Sequence, residues 1–198
     1  MRITSNQMAV LVGTVLGAGY LQKTGKFNAR LRLEHKLDHK EYLLWKAKML
    51  PKLFQGKFTT LERVHPVTHK KYAYARWQSN STPSLGKLRQ IFYPEGKKKI
   101  PQDLAKWLNS PLALATWYMD DGYYYERDRC AYLYLGRVGK KEAEIAQETL
   151  KRNFKLVTKV LDKKDKGFVL YFTPLELLKL KKIIEPYLQP VMSYKLPS

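Results

Sequence analysis

The chain has 198 residues, with 37 Lys and Arg against 17 Asp and Glu, a formal charge of +20 at neutral pH. That length can bury a sizeable core in one domain or two small halves, and the supply of aromatic and branched aliphatic residues argues against disorder. A single cysteine, Cys130, excludes an intramolecular disulfide or a cysteine zinc site and fits a reducing compartment. No run approaches the ~20 apolar residues that span a bilayer, and no secretory signal pattern is present. The cations are spread along the chain between apolar residues, which puts them on faces of folded elements. A polyanion is the expected partner, nucleic acid ahead of an anionic membrane.

In chain order, Thr4 with Gln7 three residues on is a capping box. It predicts a helix to about Gly17 or Ala18, ended by Gly19. Gly13 and Gly17 share a face of that helix, where another backbone can come very close. Residues 29–36 alternate, placing Arg30, Arg32, Glu34 and Lys36 on one face and Leu31 and Leu33 on the other. Asp38 with Glu41 reads as a second capping box, for a helix from Glu41 to about Lys52. Residues 71–78 set Tyr72, Tyr74, Arg76 and Gln78 opposite Ala73, Ala75 and Trp77, and Thr82-Pro83 opens a short helix to about Phe92.

Ser110 as N-cap and Pro111 at the first helical position open a helix that stops at Gly122. Ala131, Leu133 and Leu135 then alternate with Tyr132, Tyr134 and Gly136. A helix is expected from Lys140 to Arg152. Val169 and Tyr171 alternate with Phe168, Leu170 and Phe172, and Thr173-Pro174 with Glu176 opens a last helix to about Ile184.

These elements repeat. Leu11-Val-Gly-Thr-Val-Leu-Gly-Ala-Gly19 and Leu114-Ala-Thr-Trp-Tyr-Met-Asp-Asp-Gly122 lie 103 residues apart, and each is followed by a tyrosine. Lys99-Ile100-Pro101 likewise parallels Lys195-Leu196-Pro197. The expected class is α+β, with two αββαββα halves over residues 1–105 and 106–198. Alternating basic and aromatic residues on one sheet face suit a nucleic-acid groove, although an ordinary antiparallel sheet also solvates one face.

The paired runs make the chain resemble the LAGLIDADG homing endonucleases of the single-chain, two-motif type. Residues 114–122 carry the motif's opening and its acid–glycine end, and Gly13, Gly17 and Gly19 match its small positions. The resemblance implies a pseudo-twofold saddle of antiparallel sheets, with the two motif helices packed at the interface. It implies a functional monomer that cuts a long, roughly pseudo-palindromic double-stranded DNA target. Asp121 is then a metal ligand, with the backbone carbonyls of Asp120 and Gly17 as further oxygen donors. The metal is Mg2+ or Mn2+, and Ca2+ could occupy the site without supporting cleavage. Lys195 and Lys99 become the basic residues near the cleaved phosphates, with Lys97 and Lys98 competing for the second role. His39 and Lys140 sit where the family orders solvent. The DNA-facing residues become Arg30, Arg32, Glu34, Lys36, Tyr72, Tyr74, Arg76, Gln78, Tyr132, Tyr134 and Arg137.

Ala18 departs from the pattern, because a methyl stands where the first motif needs its acid. Neutral decay damages wider stretches than one residue, which favours a deliberate Asp-to-Ala change over natural degeneration. With Ala18, cleavage is expected to be absent or impaired. The alternative is a non-cleaving nucleic-acid binder, or a maturase that holds intron RNA on the same scaffold. The resemblance places the protein in an organelle or a prokaryotic cytoplasm, neither secreted nor in a membrane. The histidine pairs His35/His39 and His65/His69 are spaced by four, but they fall in strand or turn sequence, which argues against zinc.

Overall fold

The computed structural model describes residues 3–197. In chain order the elements are α1 (Ser5–Leu16), β1 (Tyr20–Lys23), β2 (Ala29–Lys36), α2 (Lys40–Met49), β3 (Thr59–Val64), β4 (Lys71–Gln78), α3 (Pro83–Phe92) and α4 (Leu104–Trp107). The second series is α5 (Pro111–Asp121), β5 (Gly122–Tyr125), β6 (Cys130–Tyr134), α6 (Lys140–Phe154), β7 (Lys159–Asp162), β8 (Phe168–Phe172) and α7 (Pro174–Ile184). Two four-stranded antiparallel sheets result, with orders β1-β2-β4-β3 and β5-β6-β8-β7. The sequence repeat is therefore a repeat of strand connectivity, in the expected α+β class.

Local chemistry explains the helix ends. Thr4 Oγ1 accepts the Gln7 amide at 3.3 Å, and Gln7 Oε1 accepts the Thr4 amide at 3.0 Å. Gly17, rather than Gly19, is the C-cap of α1. Ser110 caps α5 with Pro111 in its first turn, and Gly122 ends it. One expected cap fails. Asp38 lies inside a 3-10 turn over Leu37–His39, and α2 starts at Lys40 with no side-chain cap. The chain turns directly out of β2 there, so the Asp38 carboxylate is not presented to a helix N-terminus. A short helix, α4, and a 3-10 turn over Pro190–Lys195 lie outside the expected pattern.

By compactness the chain divides differently from its repeats. Ala18–Gln90 form one unit, while residues 3–17 join residues 91–197 in a second. In the first unit, the inner sheet face carries Leu31, Leu33 and Ala75, and α2 covers it with Tyr42 and Leu43, all essentially inaccessible. In the second, α5, α6 and α7 cover β6 and β8. Tyr118 meets Phe172 edge-on there, with ring centroids 6.4 Å apart.

α1 falls in the second unit because it packs on α5. Every residue from Ala9 to Leu16 and from Leu112 to Met119 is buried, as expected for helices apolar all round. A Cβ added at Gly13 would strike the carbonyl oxygen of Ala113 and lie 2.6 Å from Thr116 Cβ. The backbone of α1 therefore rests directly on α5, and Thr116 can occupy the space that Gly13 leaves. Overpacking a contact of this kind typically costs about 1–3 kcal/mol. Gly13→Ala should thus lower the melting temperature by roughly 3–10 °C, whereas Gly25→Ala, whose nearest neighbour to an added Cβ is 4.0 Å away, should leave it nearly unchanged. Thermal denaturation followed by circular dichroism reads both.

Candidate functional site

Asp121 is the last residue of α5, and Gly122 begins β5 without a break. A Cβ at Gly122 would collide with the carbonyl of Tyr118 and lie 2.6 Å from its ring, so glycine is needed for the strand to leave the helix this tightly. An acid at a helix C-terminus opposes the macrodipole, and cations should gather to offset it. They do. Asp121 lines a hollow of about 660 Å³ together with Gly17, Lys97, Lys98, Tyr134 and Arg137.

Two lysines satisfy the last carbonyls of the two motif helices. Lys195 Nζ donates to the Asp120 carbonyl at 2.9 Å, and Lys98 Nζ donates to the carbonyls of Gly17 and Leu16. Gly17 and Asp120 occupy the same place in the two motifs, so Lys98 is the counterpart of Lys195. Lys99 turns away, to the Glu95 carboxylate at 2.8 Å on the surface. That hydrogen bond raises the Lys99 ammonium above its ordinary pKa and lowers that of Glu95. The one-residue slip has a backbone cause. Lys195 closes a 3-10 turn, whereas residues 98–100 have no regular structure, so counting back from the proline does not preserve side-chain direction.

A second bond fixes the closing segment. Tyr118 Oη donates to the Lys195 carbonyl at 2.9 Å, and burial pushes the Tyr118 phenol well above its ordinary pKa. Asp120 lies at the α1–α5 contact, where a Cβ on Gly17 would lie 2.5 Å from Asp120 Cβ. Asp121, about 100° further round the helix, faces the hollow instead. Ala18 directly follows the α1 cap and is exposed. His39 is the N-terminal boundary of α2, and Lys140 is an exposed first-turn residue of α6, 3.9 Å from Glu144. Neither lines the hollow.

The outer face of the first sheet carries Arg30, Arg32, Glu34, Lys36, Tyr72, Tyr74, Arg76 and Gln78 as one surface. The register sets Arg32 opposite Gln78, Glu34 opposite Arg76 and Lys36 opposite Tyr74. Each cation has a neighbour that limits its motion. Arg30 Nε donates to Gln22 at 3.1 Å, Arg32 stacks over Tyr20 at 5.1 Å, and Lys36 lies over Tyr72 at 5.5 Å. Gln22, Tyr20 and Arg63 belong to this face too but were not expected there. They sit on the edge strands β1 and β3, one too short and the other too mixed to show an alternation.

The second sheet is different. Tyr123, Tyr125, Tyr132 and Tyr134 line a hollow of about 590 Å³ with Arg127, Asp128, Lys163 and Lys166. Burial raises the Tyr132 and Tyr171 phenols above their ordinary pKa. The histidines spaced by four make other contacts. His65 Nδ1 accepts the amides of Val67 and Thr68 at 3.3 and 3.1 Å, and His35 Nε2 lies 3.3 Å from Lys46 Nζ. No helix among the described residues is long and apolar enough to cross a membrane.

The model of the LAGLIDADG DNA endonuclease family matches residues 8–180. The chain belongs to that family. It is 26% identical to the "Probable intron-encoded endonuclease 1" of Wickerhamomyces canadensis, over 96% of this chain and 83% of that protein. It is 28% identical to "Protein RecA" of Mycolicibacterium chitae, over 98% of this chain but 47% of that protein, so it spans about half the length of such relatives. The solved structure of the homing endonuclease I-WcaI bound to its DNA recognition sequence superposes with a TM-score of 0.90 at 25% identity, covering 100% of this chain and 88% of that one.

A divalent cation fits these residues only as a site completed by substrate. Among the described residues no group of three His, Cys, Asp or Glu side chains could hold a metal, yet Mg2+ commonly uses one or two carboxylates with waters and substrate phosphates. The clasp on Lys195 is open to test by Tyr118→Phe. Leaving a buried carbonyl unpaired costs about 1–3 kcal/mol, so the variant should unfold at lower denaturant, with its urea midpoint reduced and its slope unchanged.

Proposed function

We propose that this chain has the architecture of a site-specific endonuclease of the intron-homing type, a monomer that engages a long, roughly pseudo-palindromic double-stranded DNA target, with double-strand cleavage impaired in this form by Ala18. The observation that carries the reading is Asp121 at the tip of a motif helix, in a hollow that also holds Lys97 and Lys98. The net charge of +20 and the cationic face of the first sheet support a polyanionic substrate.

Asp121 would hold a divalent cation, with the carbonyls of Asp120 and Gly17 close by. Bound Mg2+ or Mn2+ supplies Lewis acidity toward the scissile phosphate and lowers the pKa of an attacking water. Lys98 and Lys195 keep the helix-end carbonyls in place and bring positive charge to where phosphate charge develops. Because each lysine already occupies a motif carbonyl, the carboxylate is the anionic group best suited to anchor the cation. Tyr134 and Arg137 border the same hollow and would orient the DNA backbone across it.

Ala18 offers no carboxylate, so the strand it should serve is left with water and lysine alone. A second reading rests on this residue: a protein that binds DNA, or intron RNA, without cutting. The two readings are separated by selecting a bound duplex from a randomised pool, end-labelling each strand, and following cleavage with Mg2+ on a denaturing gel. The Ala18 protein should bind but fail to make double-strand breaks. Ala18→Asp should restore cutting of both strands, raising the slower strand by at least about a hundredfold, given about 1.4 kcal/mol per tenfold in rate. Asp121→Ala in that background should remove it again. Efficient double-strand cleavage by the Ala18 protein would refute the role given to position 18, and failure of Ala18→Asp to cut any selected duplex would favour the non-cleaving reading.

The two candidate lysines can be told apart in the same assay. In the Ala18→Asp background, Lys98→Met should slow cleavage by about tenfold or more, in line with the loss of one positioned electrostatic contact. Lys99→Met should leave the rate within about twofold of its parent.

A further inference from the structure

The outer face of the first sheet carries one carboxylate among five cations, and its position is unusual. Residues 20 and 22 of β1, 30 to 36 of β2, 59 to 63 of β3 and 72 to 78 of β4 contribute alternate side chains to this face. The cations are Arg30, Arg32, Lys36, Arg63 and Arg76, and the single acid is Glu34. It sits on a central strand, directly opposite Arg76. Glu34 Oε2 accepts from Arg76 Nε at 2.7 Å and lies 2.6 Å from Nη2 of the same guanidinium. Its other oxygen, Oε1, lies 2.7 Å from Arg63 Nη2. Arg63 reaches this carboxylate from the edge strand, with its guanidinium 5.2 Å from the Tyr74 ring centroid. One carboxylate thus ties together side chains from β2, β3 and β4.

Stability explains such a carboxylate only in part. The Arg63 side chain is 50% exposed, so its pair contributes little, while the Arg76 pair is part-buried, at 26% and 19%, and adds some stability as well as orientation. On a face that meets phosphates, a negative charge also opposes binding. What the arrangement does supply is orientation. Arg76 spends its Nε and one Nη2 proton on Glu34, which fixes the guanidinium plane and leaves further N–H donors for another acceptor. An unheld arginine on a cationic surface goes to the nearest phosphate and reports nothing about sequence; one held over the sheet can present its fork to a base edge, such as guanine O6 and N7.

We infer that Glu34 is a positioning residue for sequence readout, holding Arg76, and secondarily Arg63, as base-reading groups rather than phosphate contacts. This rests on the proposed DNA-binding function and narrows it. The half-site under the first sheet is discriminated over a short run of base pairs that depends on one carboxylate, and that carboxylate weakens non-specific binding at the same time.

The test selects bound duplexes from a randomised double-stranded pool with the unsubstituted chain, Glu34→Gln and Arg76→Lys, each checked for an unchanged melting temperature. Glu34→Gln should lose base preference by about tenfold to a hundredfold at a few adjacent base pairs, while preference elsewhere in the site persists. Its affinity for unrelated duplex should rise, and the salt dependence of that affinity should steepen by about one counterion. Arg76→Lys, which keeps the charge but not the fork, should lose preference at the same base pairs with no change in salt slope. An equal change on every sequence, or a loss of preference spread over the whole site, would overturn the inference. An unsubstituted chain that enriches no sequence would sink the site-specific reading itself, whereas an unsubstituted chain that selects normally while Glu34→Gln selects identically would overturn only the role given to Glu34.

Discussion

The contact between α1 and α5 governs everything that the site can do. Both helices are buried all round, and α1 reaches α5 through Gly13, where no side chain intervenes. Close-packed interiors yield little to small perturbations, so packing holds the two helix ends alongside the lysine bonds to their carbonyls. The polar groups at those ends then follow. Asp121 leaves the helix at a tight helix-to-strand junction, and Gly122 permits that junction because any Cβ would meet Tyr118.

Helix C-termini leave carbonyls without intrahelical partners, and here lysines from distant parts of the sequence satisfy them. Lys98 and Lys195 come from the segments that close the two repeats. Lys98 thus completes one helix end and, with Lys97 and Arg137, gives the Asp121 hollow its positive charge. Tyr118 ties one of these segments back to the helix it caps, through the carbonyl of the lysine itself. In the proposed function the same few atoms would serve both structure and chemistry.

Where a signal is local, it could be read from the residues alone. The capping box at Thr4 and the Thr173 N-cap act within one helical turn, although Glu176 turns to Val157 and Lys179 and leaves the second box half made, and the alternations at 29–36 and 71–78 follow from a two-residue period. The duplicated motif gave the order of elements, and the family and α+β class with it. What stayed hidden depends on geometry across the fold. Asp38 and Glu41 satisfy the spacing of a capping box, yet a 3-10 turn claims that stretch. Lys99 matches Lys195 by distance from proline, but Lys98 makes the bond, because the two closing segments have different backbones. Arg63 could not be placed beside Glu34 until β3 was paired with β4 in register.

The asymmetry of the motif helices also bears on how such a chain could arise and be altered. Gly13 and Gly17 on α1 face larger residues, Thr116 and Asp120, on α5. The interface is thus a knob-and-socket pair in which each helix has taken one role. Two copies of α5 brought together in this way would set Thr116 and Asp120 against their own duplicates, and two copies of α1 would leave the sockets empty. The chain's two repeats are not interchangeable parts, and neither motif helix could be replaced by the other without rebuilding its partner.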